Sequence, residues 1–93
     1  MAVTYLMLAR LPEGRLAAFD AYESAVLPLL AEYGGRLERR LRTLDDRVEA
    51  HLVSFPSEED FAAYRAEPRR SSAAPLLESS GAVMELLAVR DVR

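Results

Sequence analysis

The stretch from Leu29 to Asp60 constrains the fold more than any other part of this chain. It reads LLAEYGGRLERRLRTLDDRVEAHLVSFPSEED. Two glycines are typical of the end of a helix, and the acidic pair Asp45-Asp46 is compatible with a tight hairpin turn. The pair separates two predicted strands, Arg36–Leu44 and Arg47–Phe55. A hairpin enclosed by two helices indicates the middle of a domain whose remaining strands come from the flanking segments.

The flanking segments have the features of two further strands and a long helix. Val3–Leu11 and Ala82–Val89 are short apolar runs beside breaker residues, and both are apolar on their two alternating faces. Between Arg15 and Tyr33 apolar residues recur every three to four positions, which predicts a helix with a bend at Pro28. The polar residues predicted to lie off the apolar stripe of this helix are Asp20, Glu23, Ser24 and Glu32.

The second helix is predicted to begin with a variant of the capping box. Ser57 precedes Asp60 by three residues, a spacing that lets the serine hydroxyl cap the first turn. This helix is expected to stop near Pro68, and Arg69–Ser80 is expected to form a short helical segment broken at Pro75. The residues of that segment expected to pack inward are Leu76 and Leu77.

The element order predicts one ferredoxin-like α+β domain over residues 1–93. It is a βαββαβ sandwich with a four-stranded antiparallel sheet in spatial order 4-1-3-2. Two helices cover only one face of such a sheet, so the other face would expose on the order of six to eight apolar side chains, at roughly 1.5–3 kcal/mol each. We therefore expect a homodimer in which two sheets pack face to face, a dimeric α/β barrel.

Composition excludes several classes of function. The chain is 51% hydrophobic and 29% charged, as expected of a globular protein, and its net charge of −3 argues against a nucleic-acid-binding protein. The absence of cysteine excludes disulfides and thiolate sites, and a single histidine gives no histidine-rich metal cluster. We expect no bound metal and no cofactor. No apolar run reaches the roughly 18–20 residues of a membrane span, and no basic segment precedes the N-terminal apolar run, so we expect a cytoplasmic protein without membrane contact.

Two motifs resemble a family of small bacterial proteins of unknown function in the dimeric α/β-barrel superfamily. That superfamily includes antibiotic biosynthesis monooxygenase, EthD and NIPSNAP proteins. In the family, a helix with a tyrosine and a proline ends in Tyr-Gly-Gly-Arg, and a later strand ends in Phe-Pro-Ser. The matching residues here are Tyr22, Pro28, Tyr33, Gly34, Gly35, Arg36, Phe55, Pro56 and Ser57. The family often has a Ser-Pro-acidic-aromatic stretch after the second helix, and Arg65–Arg70 lacks its serine and aromatic residue.

The resemblance implies a fold and a dimer without implying an activity. Relatives include cofactor-free monooxygenases, heme-degrading enzymes, isomerases and proteins with no known reaction, since one fold commonly hosts many functions. In several relatives a pocket lies between the sheet and the helices of each subunit.

His51 is the only histidine and the candidate for acid–base chemistry near neutral pH. It is predicted to lie on a central strand and to share with Phe55 the face that looks towards the helices and any pocket there. Glu49, two residues earlier on that face, is the candidate for orienting the imidazole ring. The alternative is a partly buried histidine that forms a hydrogen bond and takes no part in chemistry.

Other candidate binding residues have equally ordinary alternatives. The aromatic residues that could line a pocket for an aromatic ligand are Phe19, Tyr22, Tyr33 and Phe55, with Tyr5 and Tyr64 as weaker candidates. The alternative is that the aromatic residues form plain core. On one face of the first hairpin strand, Arg36, Arg40 and Arg42 could bind an anion. They could instead form a solvated edge, or ion pairs with Glu38 and a partner subunit.

Glu85 lies inside an otherwise apolar strand, where a carboxylate needs a partner or a proton. It could pair with an arginine across the dimer or have a functional role, and the sequence leaves both open.

Two classes of function remain. One is a protein with a pocket for a small apolar or aromatic metabolite. Its enzymatic form is a cofactor-independent monooxygenase or isomerase that uses His51 and a tyrosine on a phenolic or polyketide-like substrate. The other is a non-catalytic accessory protein whose pocket is filled by side chains. An enclosed cavity of about 300 Å³ or more that reaches His51 would favour the first class.

Overall fold

The elements follow the predicted order in a computed structural model that describes residues 1–93. They are β1 (Val3–Arg10), α1 (Leu16–Val26), a 3-10 helix (Leu27–Tyr33), β2 (Arg36–Arg42), β3 (Val48–Phe55), α2 (Glu58–Arg65), α3 (Pro68–Ser80) and β4 (Val83–Val89). The strand boundaries agree with those predicted to within two residues. No helix has the length and apolar character that crossing a membrane requires.

The sheet has the predicted topology. Its strands are arranged β2-β3-β1-β4 and every neighbouring pair is antiparallel, which confirms the ferredoxin-like α+β fold. The register sets Met7 of β1 opposite His51 of β3 on one side and opposite Leu86 of β4 on the other. β3 is central and β2 is an edge strand, so His51 lies in the interior of the sheet as predicted.

The helices all pack against one face of the sheet. Alternate residues of β3 are buried on this face, and they include Val53 and Phe55, which form a core with Leu29, Leu30 and Tyr64. A second core places Phe19 of α1 against Ala9 and Leu11, and a third joins α1 to α3. The opposite face of the sheet has no helix over it.

The first helical region changes from an α-helix to a 3-10 helix next to Pro28, where a bend was predicted. The α-helix ends at Val26, and the chain continues as a 3-10 helix with Pro28 in its first turn. Gly34 ends this helix with a φ of 73°, a left-handed conformation that glycine adopts without strain. Gly35 has a different role, because a Cβ atom there would lie 2.7 Å from the Phe55 ring. The helix therefore meets β2 at a point where only a hydrogen fits beside Phe55.

The second helical region confirms the predicted cap and corrects the predicted break. The Ser57 hydroxyl accepts a hydrogen bond from the Asp60 amide at 3.1 Å, as the capping spacing predicts. However, α3 runs without interruption through Pro75, so the prediction of a broken segment is wrong. The prediction that Leu76 packs inward is also wrong, because Leu76 is 39% exposed and only Leu77 contacts the core. Adjacent helical residues point about 100° apart, so one helix face buries only one of the two.

An irregularity in β2 changes which of its residues face the helices. The register shifts by one residue between Leu37 and Arg39, which leaves Glu38 as an extra residue in the strand. Beyond it, Arg40 and Arg42 lie opposite His51 and Glu49 on the helix face. A bulge reverses the alternation of side chains along a strand.

The prediction that Arg36, Arg40 and Arg42 share one face of the strand is therefore wrong for Arg36. Arg36 precedes the extra residue and lies opposite Ser54, on the face away from the helices. The prediction depended on unbroken alternation along this strand, which the extra residue interrupts. As a result, Arg36 is separated from Arg40 and Arg42 by the thickness of the sheet.

The uncovered face of the sheet carries many apolar side chains, most of them half-buried or exposed. Its apolar residues are Leu6, Leu8, Leu41, Val48, Ala50, Leu52, Val83, Leu87 and Val89. On the same face, Arg10 and Glu85 form an ion pair at 3.2 Å. The carboxylate that seemed anomalous in the sequence of β4 thus has a partner within its own chain.

Candidate functional site

A cavity of about 290 Å³ lies between the helix face of the sheet and the helices. Its walls are mostly apolar and include Met7, Val26, Val53, Phe61 and Leu77. Polar side chains enter it at a few points, among them His51, Tyr22 and Glu23. Small-molecule sites in proteins are typically concave and mostly apolar with a few placed polar groups, and this cavity lies just below their range of about 300–1,000 Å³. It reaches His51, but it is partly open and slightly smaller than the enclosed cavity of about 300 Å³ that was expected of a binding pocket.

His51 reaches the cavity from β3 and is held from behind by Glu49. The side chain of His51 is only 4% exposed and that of Glu49 is fully buried. His51 Nε2 lies 2.5 Å from Glu49 Oε2. An ionised carboxylate only accepts hydrogen bonds, so Nε2 is assigned as the donor and Nδ1 keeps its lone pair. The pairing of these two residues, inferred from their spacing on one strand, is present in the structure.

Two arginines hold Glu49 in its ionised form. Arg42 Nε donates to Glu49 Oε1 at 2.7 Å, and Arg40 Nε donates to Glu49 Oε2 at 3.0 Å. Burial raises the pKa of Glu49, but the hydrogen bonds from His51, Arg42 and Arg40 outweigh burial and hold the pKa below its usual value. Burial lowers the pKa of His51, and the hydrogen bond to Glu49 opposes that effect only in part. At neutral pH the site thus contains an anionic glutamate and a neutral imidazole.

Glu23 of α1 is a functional candidate that was not among the predicted site residues. Its side chain is 3% exposed and lines the cavity, with Oε2 3.9 Å from His51 Nδ1. The prediction that Glu23 lies off the apolar stripe of the helix is wrong. Glu23 follows Phe19 by four residues and precedes Val26 by three, the spacing of residues that share a helix face.

Burial also determines the pH range in which Glu23 loses its proton. Loss of solvation raises its pKa to about 7, and the negative charge of Glu49 adds to this effect. The carboxyl group therefore exchanges its proton in the physiological range. A weak acid and a neutral imidazole 3.9 Å apart on one cavity wall can hold or move a proton for a bound molecule.

The remaining predicted binding residues divide between the cavity and the core. Tyr22 lines the cavity beside Glu23. Phe19 is fully buried in the core, and Phe55 is buried against Tyr64, so neither borders the cavity. Tyr33 is also outside it, and its hydroxyl donates to Glu67 Oε1 at 2.9 Å.

The predicted arginines are likewise placed elsewhere. Arg36 is exposed on the uncovered face of the sheet and lies 3.7 Å from Glu38. Arg42 bonds to Asp20 of α1 at 2.6 Å in addition to Glu49, so its donors are directed at carboxylates of the same chain. Ion pairs were one of the predicted alternatives, but only Arg36 pairs with the predicted Glu38, and Arg40 and Arg42 pair with Glu49 and Asp20 instead.

Glu23, Glu49 and His51 bring three possible metal-ligand atoms within 4.8 Å of one another. The donor set does not fit a cation, because both oxygens of Glu49 already accept hydrogen bonds from guanidinium groups. A cation bound by all three residues would lie beside the positive charges of Arg40 and Arg42. The chemistry of these residues is that of an oriented acid–base pair.

Replacing Glu23 with glutamine is expected to stabilise the protein above about pH 7. The pKa of about 7 in the folded protein exceeds the ordinary 4.5, so between these values the folded state keeps a proton that the unfolded state has lost. The contribution of Glu23 to the free energy of unfolding is fully present below pH 4.5 and is lost as the pH rises through 7. At about 1.36 kcal/mol per pKa unit, this pKa shift corresponds to an increase of about 3 kcal/mol in the free energy of unfolding when Glu23 is replaced by glutamine.

Urea unfolding of the wild type and Glu23→Gln at several pH values measures this effect. Glu13→Gln, at an exposed glutamate before α1, is the matched control. The pKa values of His51 and Glu49 are lowered in the folded state, so these two groups increase the free energy of unfolding as the pH rises. They are present in both the wild type and Glu23→Gln, so the difference between the two proteins reports on Glu23. A difference between wild type and Glu23→Gln that does not change with pH would contradict the assignment.

Comparisons with known proteins confirm the fold. No protein-family model and no curated protein matches the sequence. Among solved structures, the NIPSNAP family protein Atu4242 from Agrobacterium tumefaciens, whose function is unknown, is similar with a TM-score of 0.77 and 21% identity, covering 100% of this chain and 95% of that one. SnoaB from Streptomyces nogalater, a cofactor-independent oxygenase, is similar with a TM-score of 0.76 and 20% identity, covering 98% and 95%.

A third structure extends the same likeness. A Caulobacter crescentus CB15 protein, provisionally described as an antibiotic biosynthesis monooxygenase, has a TM-score of 0.76 and 11% identity, covering 97% of this chain and 91% of that one. These structures are of proteins of the kinds that the sequence motifs resemble. At such identities the likeness shows a shared ferredoxin-like fold and does not extend to activity.

Proposed function

We propose that this protein is a homodimer that binds a small apolar or aromatic molecule in the cavity of each subunit. The observation that carries the proposal is the cavity of about 290 Å³, which is open to a ligand and reaches His51. Its apolar walls favour a hydrophobic body. Tyr22, Glu23 and His51 provide the few polar groups that would orient it.

The second subunit is inferred from the uncovered sheet face. The apolar side chains there would cost on the order of 10 kcal/mol if left in water, at roughly 1.5–3 kcal/mol for each one fully exposed. A second copy related by a two-fold axis would bury them, sheet against sheet. The cavity lies mainly on the helix side of the sheet, with Glu85 as its one lining residue from the uncovered face, so we expect it to stay accessible in the dimer. On the sequence grounds given above, we place this dimer in the cytoplasm.

A cofactor-independent monooxygenase or isomerase is the second candidate function. The observation that favours it is the His51–Glu23 pair, whose neutral imidazole and weak carboxylic acid can take and return a proton. Proton removal from a phenolic or polyketide-like substrate gives a phenolate or an enolate. An isomerase would return the proton at another carbon. In a monooxygenase the substrate carbanion would reduce dioxygen, so that a CH2 group becomes a carbonyl group with one oxygen atom and the other oxygen atom leaves as water with the two hydrogens. SnoaB, a cofactor-independent oxygenase, has this fold.

Ligand binding is expected to depend on Tyr22 and His51. In a thermal-shift or calorimetric titration with 2-naphthol, Tyr22→Phe should weaken binding about 3- to 10-fold, the effect of one lost hydrogen bond of about 0.5–1.5 kcal/mol. His51→Ala should weaken it at least as much. Tyr33→Phe is the matched control, since it removes a hydroxyl outside the cavity. Unchanged affinity in both cavity variants would refute the site assignment.

Turnover separates the enzyme from the binding protein. If the second candidate is correct, His51→Ala should lower the rate on a phenolic substrate about 10²- to 10⁴-fold, the usual contribution of a positioned acid or base. Oxygen consumption and product analysis by mass spectrometry provide the measurement. A rate on phenolic substrates that stays the same in His51→Ala would exclude the proposed catalytic role, and tight binding without turnover would favour the binding protein.

A further inference from the structure

Two arginines border the cavity and lack carboxylate partners. Arg65 ends α2 and Arg70 lies in the first turns of α3, and both line the cavity. The ion pairs formed by arginines in this chain use other residues, namely Arg10, Arg36, Arg40, Arg42 and Arg69. The cavity therefore has two cations at its border that form no ion pair with a carboxylate of the chain.

Aromatic rings fix the positions of these two cations. The guanidinium carbon of Arg70 lies 4.4 Å from the centre of the Tyr64 ring, and that of Arg65 lies 5.6 Å from the centre of the Phe61 ring. Both rings themselves line the cavity. Cation–π contacts of this kind hold a guanidinium in place and leave its N–H groups free to donate. The hydrogen-bond donors are thus arranged before a ligand arrives.

The positive charges also act on the cavity interior. Both arginines lower the pKa of the Tyr22 hydroxyl, against a larger opposing effect of burial, and Arg70 has the same influence on Glu23. The two carboxylates that line the cavity, Glu23 and Glu85, form no ion pair with either arginine. An apolar cavity with two such cations at its border suits a molecule with an apolar body and one anionic end. Arginine pairs with a planar carboxylate through two parallel hydrogen bonds, which distinguishes it from a simple point charge.

We propose that the cavity binds a small aromatic or apolar carboxylic acid, whose carboxylate is held by Arg65 and Arg70 and whose body fills the apolar interior. This inference rests on the proposed binding function and names the ligand class. It also gives a role to Arg65–Arg70, the segment in which this sequence departs from the family that it resembles.

The test compares 2-naphthoate with its neutral isostere 2-naphthamide by calorimetry at about pH 6, where Glu23 is mostly protonated. Wild type should bind the acid at least about 10-fold more tightly than the amide, as expected for charge-assisted hydrogen bonds of about 1.5–3 kcal/mol. The double variant Arg65→Gln/Arg70→Gln should lose this preference, with affinity for the amide changed less than about 2-fold. Arg70→Lys should keep part of the preference for the acid, because lysine retains the positive charge but lacks the paired, planar N–H donors of arginine.

Arg15→Gln is the matched control, since Arg15 is exposed before α1 and has no ion pair. Equal affinity of wild type for acid and amide, or a preference that survives the double variant, would overturn the carboxylate inference while leaving the proposed cavity function intact. Failure of both compounds to bind wild type would overturn both. Loss of amide binding in the double variant would show that the arginines only support the cavity wall, which also contradicts the inference.

Discussion

Leu6→Arg is expected to convert the proposed dimer into a folded monomer. Leu6 lies in the middle of β1, opposite Leu52 of β3 and Leu87 of β4, so apolar neighbours surround it on the uncovered face. In the dimer, arginine at this position would be buried without a partner. The lost burial and the desolvated charge should raise the dissociation constant at least about 100-fold, or about 3 kcal/mol.

Sedimentation velocity at micromolar concentration measures the effect, with circular dichroism to verify that the fold is kept. Leu87→Arg tests the same face at a site that is 41% exposed in the single chain, so this substitution should lower the stability of the folded monomer less. Ala17→Arg is the control, because Ala17 is exposed on α1, on the helix side of the molecule. A wild-type protein that sediments as a folded monomer would refute the dimer.

Glu49→Gln is expected to destabilise the protein by about 2–4 kcal/mol at pH 7. The change leaves Arg40 and Arg42 without their shared carboxylate and gives His51 a weaker acceptor. Breaking a fully buried ion pair costs about 3–5 kcal/mol. The arginine side chains here are 37% and 28% exposed, so water can replace part of what they lose. The expected cost is therefore below the upper end of that range.

Urea unfolding of Glu49→Gln measures this cost, with Glu38→Gln as control. Glu38 is an exposed carboxylate on β2 that also accepts a hydrogen bond, from the Ser54 hydroxyl, and its loss should change the free energy of unfolding by less than about 0.5 kcal/mol. The pKa of Glu49 is lowered in the folded state, so its stabilisation is present above pH 4.5 and declines as the pH falls below that value. A cost that is under about 0.5 kcal/mol at pH 7, or that persists undiminished at low pH, would disagree with the ion-pair network.

The order of the elements was predictable because most of them satisfy a local rule. Gly34 ends the first helical region in the left-handed conformation, Ser57 caps α2, and the alternation of β3 places His51 and Phe55 together on the helix face. These features depend on residues within a few positions of one another. Periodicity and capping were therefore sufficient to recover the order of the elements and the topology of the sheet.

The parts of the site that escaped prediction depend on packing between distant segments. The burial of Glu23 arises where α1 meets the sheet, and a rule that assigns charged residues to the solvent face excludes it in advance. The extra residue at Glu38 has no signal in an alternating pattern of charge, yet it decides which arginines reach Glu49. Similarly, Arg70 lines the cavity where α3 packs on α1 through Ala73 and Leu77, a contact between distant segments.

The extra residue in β2 has a consequence for how this chain can vary. Glu38 has no partner on β3, so its deletion would leave Arg40 and Arg42 opposite His51 and Glu49, still on the helix face. A deletion between Arg40 and Arg42 would instead turn one of these arginines to the uncovered face and away from Glu49. The bulge is thus the one place in this edge strand where a residue can be lost without moving the cations.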